Sequence, residues 1–259
     1  MTSFIHTVGF CGIDASVSPL LLSLMSSRYP FIEWGVLFRE DKEGEPRYAE
    51  MGWVEGELRD AWERSNGAMK LAGHLCGGRV DEVLGGDSRF VNHLCNLGFG
   101  RIQINPTKVN GVNTENLREK VPNVLKIMAN FPAIDFIIQK SDETQPLWQG
   151  ILDETGGKPP ANMSMLQDES KGTGKLITEY SPIPSNYNVG FAGGLGPETV
   201  SEVVKSIMKL EASSGGRRVW IDMESRLRSE RNNEDVFCIE KCAKVISNLC
   251  AIEGSGFKL

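Results

Sequence analysis

Short apolar runs alternate with stretches of helical spacing along the whole chain of 259 residues. The run at 4–11 reads as a buried strand, and 18–27 after it as a helix. "FIEWGVLF" at 31–38, "MKLAGHLCG" at 69–77 and "GRIQINP" at 100–106 continue the strand series. "AIDFIIQK" at 133–140, "NMSMLQD" at 162–168, "NVGFAGGL" at 188–195 and "RVWID" at 218–222 complete it. Helices are predicted at 54–67, 79–98, 113–131, 144–157 and 197–216, with a closing helix over about 234–252. The pattern places Pro122 as a kink in the third of these helices and Pro197 at the first position of the fifth.

Strands that alternate with helices run parallel, each crossover being a helix. Eight such units in about 250 residues fit a single closed (β/α)8 barrel, here one domain over 1–259. An open doubly wound sheet would carry a glycine-rich turn after its first strand, and "CGIDAS" is a poor version of one. The segments 39–53 and 169–187 read as mobile loops on the barrel's catalytic face.

Composition narrows the function. The net charge of −6 argues against a nucleic-acid binder, which is usually basic, but leaves room for a small phosphorylated or anionic metabolite. No stretch reaches the ~18 apolar residues of a membrane span, and no secretory leader pattern opens the sequence. The six cysteines show neither CxxC pairing nor zinc-ligand spacing, which points to a reducing, cytoplasmic setting. His74 and Cys76 alternate along one strand and so share a face, but no further ligand stands near them in sequence. Neither a metal nor a cofactor is predicted, and the oligomeric state is left open.

In a barrel, chemistry gathers at the carboxyl ends of the strands. Those ends hold Cys11, Arg39 or Arg47, Cys76, Gln103 with Asn105, Gln139, Asp168, Gly193 with Gly194, and Asp222. A free cysteine is most often a small buried hydrophobe, which is the plain alternative for Cys11. The stretch "GFAGGLGPETV" at 190–200 suits an anion, since glycines let backbone N–H groups approach it at a helix start. "KGTGK" at 171–175 lacks the spacing of a nucleotide P-loop and reads as a lid with two lysines.

These motifs together resemble the phosphoribosylanthranilate isomerase family. "VGFCGI" is similar to the family's opening strand, and "EPRYAE" to its Arg-Tyr segment after the second strand. "MLQDESKGTGK" is similar to its Leu-Leu-Asp and Gly-Gly-Thr-Gly-Lys loop. "FAGGLGPETV" is similar to its phosphate turn, and "VWIDMES" to its final strand. The resemblance implies an Amadori rearrangement of an N-phosphoribosyl amine to an aminoketose, with Cys11 as general base and Asp168 as general acid. It also implies Arg47 on the anthranilate carboxylate, and Gln103 and Asp222 on the substrate's other polar groups. Gly172, Gly174, Gly193, Gly194 and Ser225 would hold the phosphate.

The sequence departs from that pattern after the last strand, where Glu224 and Arg226 flank Ser225. Gln103 and Asn105 stand where the family often has a histidine. Two other readings therefore accompany the isomerase: a barrel acting on another sugar phosphate or anion, and a non-catalytic ligand-binding barrel.

Overall fold

The computed structural model describes residues 4–168, 180–211, 214–217 and 219–257. Eight parallel strands close into a barrel in sequence order: β1 (Ile5–Cys11), β2 (Ile32–Phe38), β3 (Leu71–Leu75), β4 (Phe99–Ile104), β5 (Asp135–Lys140), β6 (Met163–Gln167), β7 (Asn188–Phe191) and β8 (Val219–Met223). Closure is made where β1 pairs with β8, with Gly9 opposite Asp222 and Phe10 opposite Met223. The single (β/α)8 barrel expected from the alternation is the fold.

Each strand reads as almost continuously apolar because it is buried on both sides, as parallel strands are. Its two faces still differ. Val8, Phe10, Trp34, Val36, Ile102, Phe136 and Met165 belong to the large core between sheet and helices. The alternate residues point inward, where Ile137, Leu166, Ala192 and Trp220 form a separate small cluster on the axis. One end of the interior is polar: Arg101 bridges Glu33 at 2.8 Å and Asp135 at 2.9 Å, with its guanidinium 4.2 Å from the centre of the Trp220 ring.

Among the described residues, three helices begin with proline in their first turn, where no N–H donor is required. They are α1 (Pro19–Arg28), α6 (Val121–Asn130) and α7 (Gln145–Glu154), and two short helices, α2 (Met51–Trp53) and α3 (Arg59–Arg64), lie between β2 and β3. Pro122 therefore opens α6 rather than kinking it. The stretch 79–98 splits at Gly85 and Gly86 into α4 (Gly78–Leu84) and α5 (Arg89–Asn96). The helix after β7 is α8 (Val200–Met208), so Pro197 lies in the turn before it, and Thr199 Oγ1 donates to the carbonyl of Gly194 at 2.8 Å.

The predicted closing helix is shorter than expected. Its first residues instead form β10 (Glu234–Phe237), which pairs in a hairpin with β9 (Arg228–Arg231), and α9 (Ile239–Cys250) follows. Asn232 and Asn233 both take positive φ, the conformation that a tight two-residue hairpin turn requires. Arg228 anchors this hairpin to the barrel by donating to the Gly12 carbonyl at 2.7 Å, Asp14 at 2.8 Å and Asp235 at 3.0 Å.

Candidate active site

The inward positions of β1, β3 and β8 converge at the carboxyl end of the barrel. Cys11 Sγ lies 3.2 Å from His74 Nδ1, although the two strands are separated by β2. Gly35 makes this approach possible. A Cβ there would sit 2.9 Å from Cys11 Sγ and 2.9 Å from His74 Nε2, so its absence is the space those side chains use. Gly9 does the same for Asp222, whose Oδ1 would be 2.1 Å from a Cβ at that position. Donor atoms of Cys11, His74 and Asp222 all lie within 4.8 Å of one another, and all three residues are buried.

Burial controls their protonation. It pushes the Cys11 thiol well up, and the charges of Asp222 and Glu224 push the same way. It lowers His74 to about 3, with a further contribution from the Arg101 charge. Burial is also the main cause holding Asp222 well above the usual carboxylate range, with Glu33 and Glu224 adding to it. At neutral pH the cluster thus holds a thiol and a neutral imidazole, beside a carboxyl whose protonated form burial favours.

Above the cluster is a cavity of about 90 Å³ whose lining includes His74, Cys76, Gln103, Gln139, Asp168 and Asp222. Gln139 Nε2 donates to Asp168 Oδ2 at 3.1 Å, and Gln103 Nε2 to Asn105 Oδ1 at 2.7 Å. The rim carries Gly193 and Gly194, both at positive φ, with Ser225 and Arg226 beside them. Arg226 is held there by packing its stem on Gly196, where a Cβ would be 2.5 Å from Arg226 Cβ.

Among the residues expected from sequence, Gln103, Asp168, Gly193, Gly194, Asp222 and Ser225 therefore share one cavity. Cys11 does not line it; its Sγ contacts His74, which does. Arg47 is placed elsewhere: its guanidinium pairs with Glu224 at 3.1 Å and Asp235 at 3.0 Å, and it does not line the cavity. Those pairs partly offset the burial that raises the Glu224 carboxyl. The loop holding Arg47 is fastened to the barrel, since its backbone N–H donates to Asp14 Oδ2 at 2.7 Å and Tyr48 bridges to Leu37. Gly172 and Gly174 lie outside the described residues.

Comparison with solved structures agrees with the topology. The chain is similar to a dihydrodipicolinate synthase from Agrobacterium tumefaciens, at 11% identity and a TM-score of 0.54, covering 98% of this chain and 76% of that one. The likeness is one of fold. A GH18 chitinase from Pseudoalteromonas aurantia aligns over 85% of this chain and 93% of its own, at 10% identity and a TM-score of 0.47. No protein-family model matches the sequence, and no curated protein does.

The residue that sequence reasoning underused is His74. Its shared face with Cys76 was legible from the alternation, and both do point inward. Its partnership with Cys11 depends on a neighbour that has no side chain, and the signal for that was the glycine in "FIEWGVLF". Among the described residues no helix is long and apolar enough to cross a membrane.

Proposed function

We propose that this barrel is an acid–base enzyme of a small phosphorylated metabolite, and that its reaction is the aldose–ketose rearrangement of an N-phosphoribosyl amine. The observation that carries the reading is the Cys11–His74 contact of 3.2 Å beneath the cavity that Asp168 lines. Asp168 would give a proton to the ring oxygen as the sugar opens to an iminium. The Cys11–His74 pair would then take the proton from C2, and the C–H electrons would form the enolamine that becomes the ketone. In the protein alone both members of the pair are neutral. The thiol would pass its proton to His74 Nδ1, 3.2 Å away, leaving the thiolate to take the C2 proton, and the positive charge of the iminium favours that thiolate.

The rim supports a phosphate at the other end of the substrate. Positive-φ glycines turn backbone N–H groups toward an anion, and Arg226 adds a guanidinium. Asp222 offers a second reading of the acid, because it lines the same cavity and burial favours its protonated form.

The test is turnover of freshly formed phosphoribosyl anthranilate, coupled to indoleglycerol-phosphate synthase. Wild type is expected to turn over, and Cys11→Ala and His74→Gln to lose ~10²–10⁴ in rate. Asp168→Asn and Asp222→Asn identify the acid by which one loses kcat. Absence of turnover by folded wild type at high enzyme concentration refutes the isomerase reading.

A further inference from the structure

The Cys11, His74 and Asp222 side chains have a second use that does not depend on the isomerase reading. Their donors are a thiol sulfur, an imidazole nitrogen and a carboxylate oxygen, the three ligand types that zinc takes. They come from three different strands, so the barrel fixes their spacing. Tetrahedral zinc with bonds of about 2.0–2.3 Å separates neighbouring ligand atoms by about 3.4–3.6 Å. The observed separations run from the Cys11–His74 distance of 3.2 Å to a limit of 4.8 Å. Side-chain rotation of a few tenths of an ångström to about one ångström therefore brings them onto one ion.

Two independent observations point the same way. Gln103 Oε1 and Gln139 Oε1 are buried acceptors without a hydrogen-bond donor, on residues only 5% and 2% exposed. Both line the cavity into which His74 and Asp222 face, and Gln103 is the register partner of His74 on the adjacent strand. Buried acceptors of this kind call for a donor or a cation. A water held on a metal carries the O–H groups they lack. The second observation is charge: Glu33 and Glu224 add negative potential at Asp222, and Arg101 offsets it only in part because its two salt bridges go to Glu33 and Asp135.

We propose that Cys11, His74 and Asp222 form a binding site for one divalent transition-metal ion, zinc foremost, with its remaining coordination position open to the mouth cavity. Binding exchanges protons for the metal: the Cys11 S–H bond breaks, its electron pair goes to the metal, and that proton, with any proton held by the Asp222 carboxyl, leaves to solvent. The same pair of electrons cannot also abstract a substrate proton. Metal-loaded protein is thus inactive in the rearrangement proposed above.

The experiment is a cobalt(II) titration of protein dialysed against chelator, followed by zinc displacement and metal analysis of the desalted product. The expected result is about one cobalt per chain with a thiolate-to-cobalt charge-transfer band and tetrahedral d–d bands, both lost on adding zinc. Cys11→Ser should lose the charge-transfer band. His74→Gln and Asp222→Asn should each weaken binding by more than about a hundredfold, since loss of a group that only supports a ligand already costs 10–100-fold. Cys95→Ser is the control that leaves binding intact, and melting curves verify that each variant is folded. A folded wild type that binds no stoichiometric cobalt overturns the proposal, as does a charge-transfer band that survives Cys11→Ser. Zinc binding without turnover in either metal-free or loaded protein would retain the site and refute the isomerase. Turnover by metal-free protein that binds no cobalt would do the reverse.

Discussion

Replacing Gly190 by alanine drives a methyl group into Trp220. The added Cβ would lie 2.1 Å from Cε2, 2.4 Å from Nε1 and 2.5 Å from Cζ2 of the indole. Carbon atoms settle at about 3.5–4.0 Å, so the ring must retreat by about 1.5 Å. It has nowhere to go. Trp220 is 2% exposed, Ile137, Leu166 and Ala192 pack around it, and Arg101 is stacked over its ring. Arg101 is in turn fixed by Glu33 and Asp135. Overpacking alone costs about 1–3 kcal/mol. Dislodging Arg101 from its buried carboxylates moves the cost toward the 3–5 kcal/mol of a broken buried pair. We expect Gly190→Ala to lose about 3 kcal/mol, read as a drop of about 6–12 °C in Tm at 2–4 °C per kcal/mol for a protein near this size. Urea unfolding provides the second measure. The double variant with Trp220→Leu should recover part of the loss, because the smaller side chain vacates the contested space. A single variant within about 0.5 kcal/mol of wild type, the range of an ordinary surface change, would refute this reasoning.

Other expectations follow from the same contacts. His74 falls to about 3 in the fold from an ordinary value of 6.5, so the unfolded chain binds the extra proton between those values. Its contribution is present in full above about pH 6.5 and is lost as pH falls toward 3. Urea midpoints should decline over that window, and His74→Gln should flatten the decline; matching profiles would contradict the assignment. Asp222 has the opposite sign, because its raised folded value lets the unfolded chain release its proton first. Relative to Asp222→Asn, wild type should lose stability as pH rises from about 3.8, and a constant difference across pH would count against a buried acid there. Buried and held as a thiol, Cys11 should alkylate far more slowly in native protein than in urea, by mass spectrometry of the labelled peptide. Arg228→Met should cost about 3–5 kcal/mol by leaving Asp14 without its buried cation, whereas a Tm unchanged from wild type would show the clamp to be ornamental.

The strand series was legible because a parallel strand buried on both faces is a dense apolar run, and eight such runs leave few topologies open. The hairpin was not, since Glu234–Phe237 precedes an amphipathic helix and carries two acidic residues that look like a helix start. Its mark was the pair Asn232–Asn233, which takes the turn conformation most residues resist. Single cavity-lining residues at strand ends could be named from the alternation alone, as Asp168 and Asp222 show. What alternation cannot supply is contact across a third strand. Cys11 meets His74 only because position 35 has no side chain, and that is a fact of three strands at once. The ion pairs of Arg47 were illegible for another reason: the residues that engage it, Glu224 and Asp235, are about 180 positions away.

The pairing of β1 with β8 has a consequence for the nascent chain. Ile5–Cys11 is synthesised roughly 200 residues before its partner Val219–Met223. At about 5–20 residues per second this is a delay of roughly 10–40 s. Throughout that time the first strand has one row of backbone groups with no neighbour, on a segment apolar enough to template aggregation. The earlier seven units must persist as an open, curved sheet, or be shielded by chaperones, until the eighth strand arrives. Arg228 emerges only a few residues after that strand, and its bonds to Gly12 and Asp14 fasten the seam just closed.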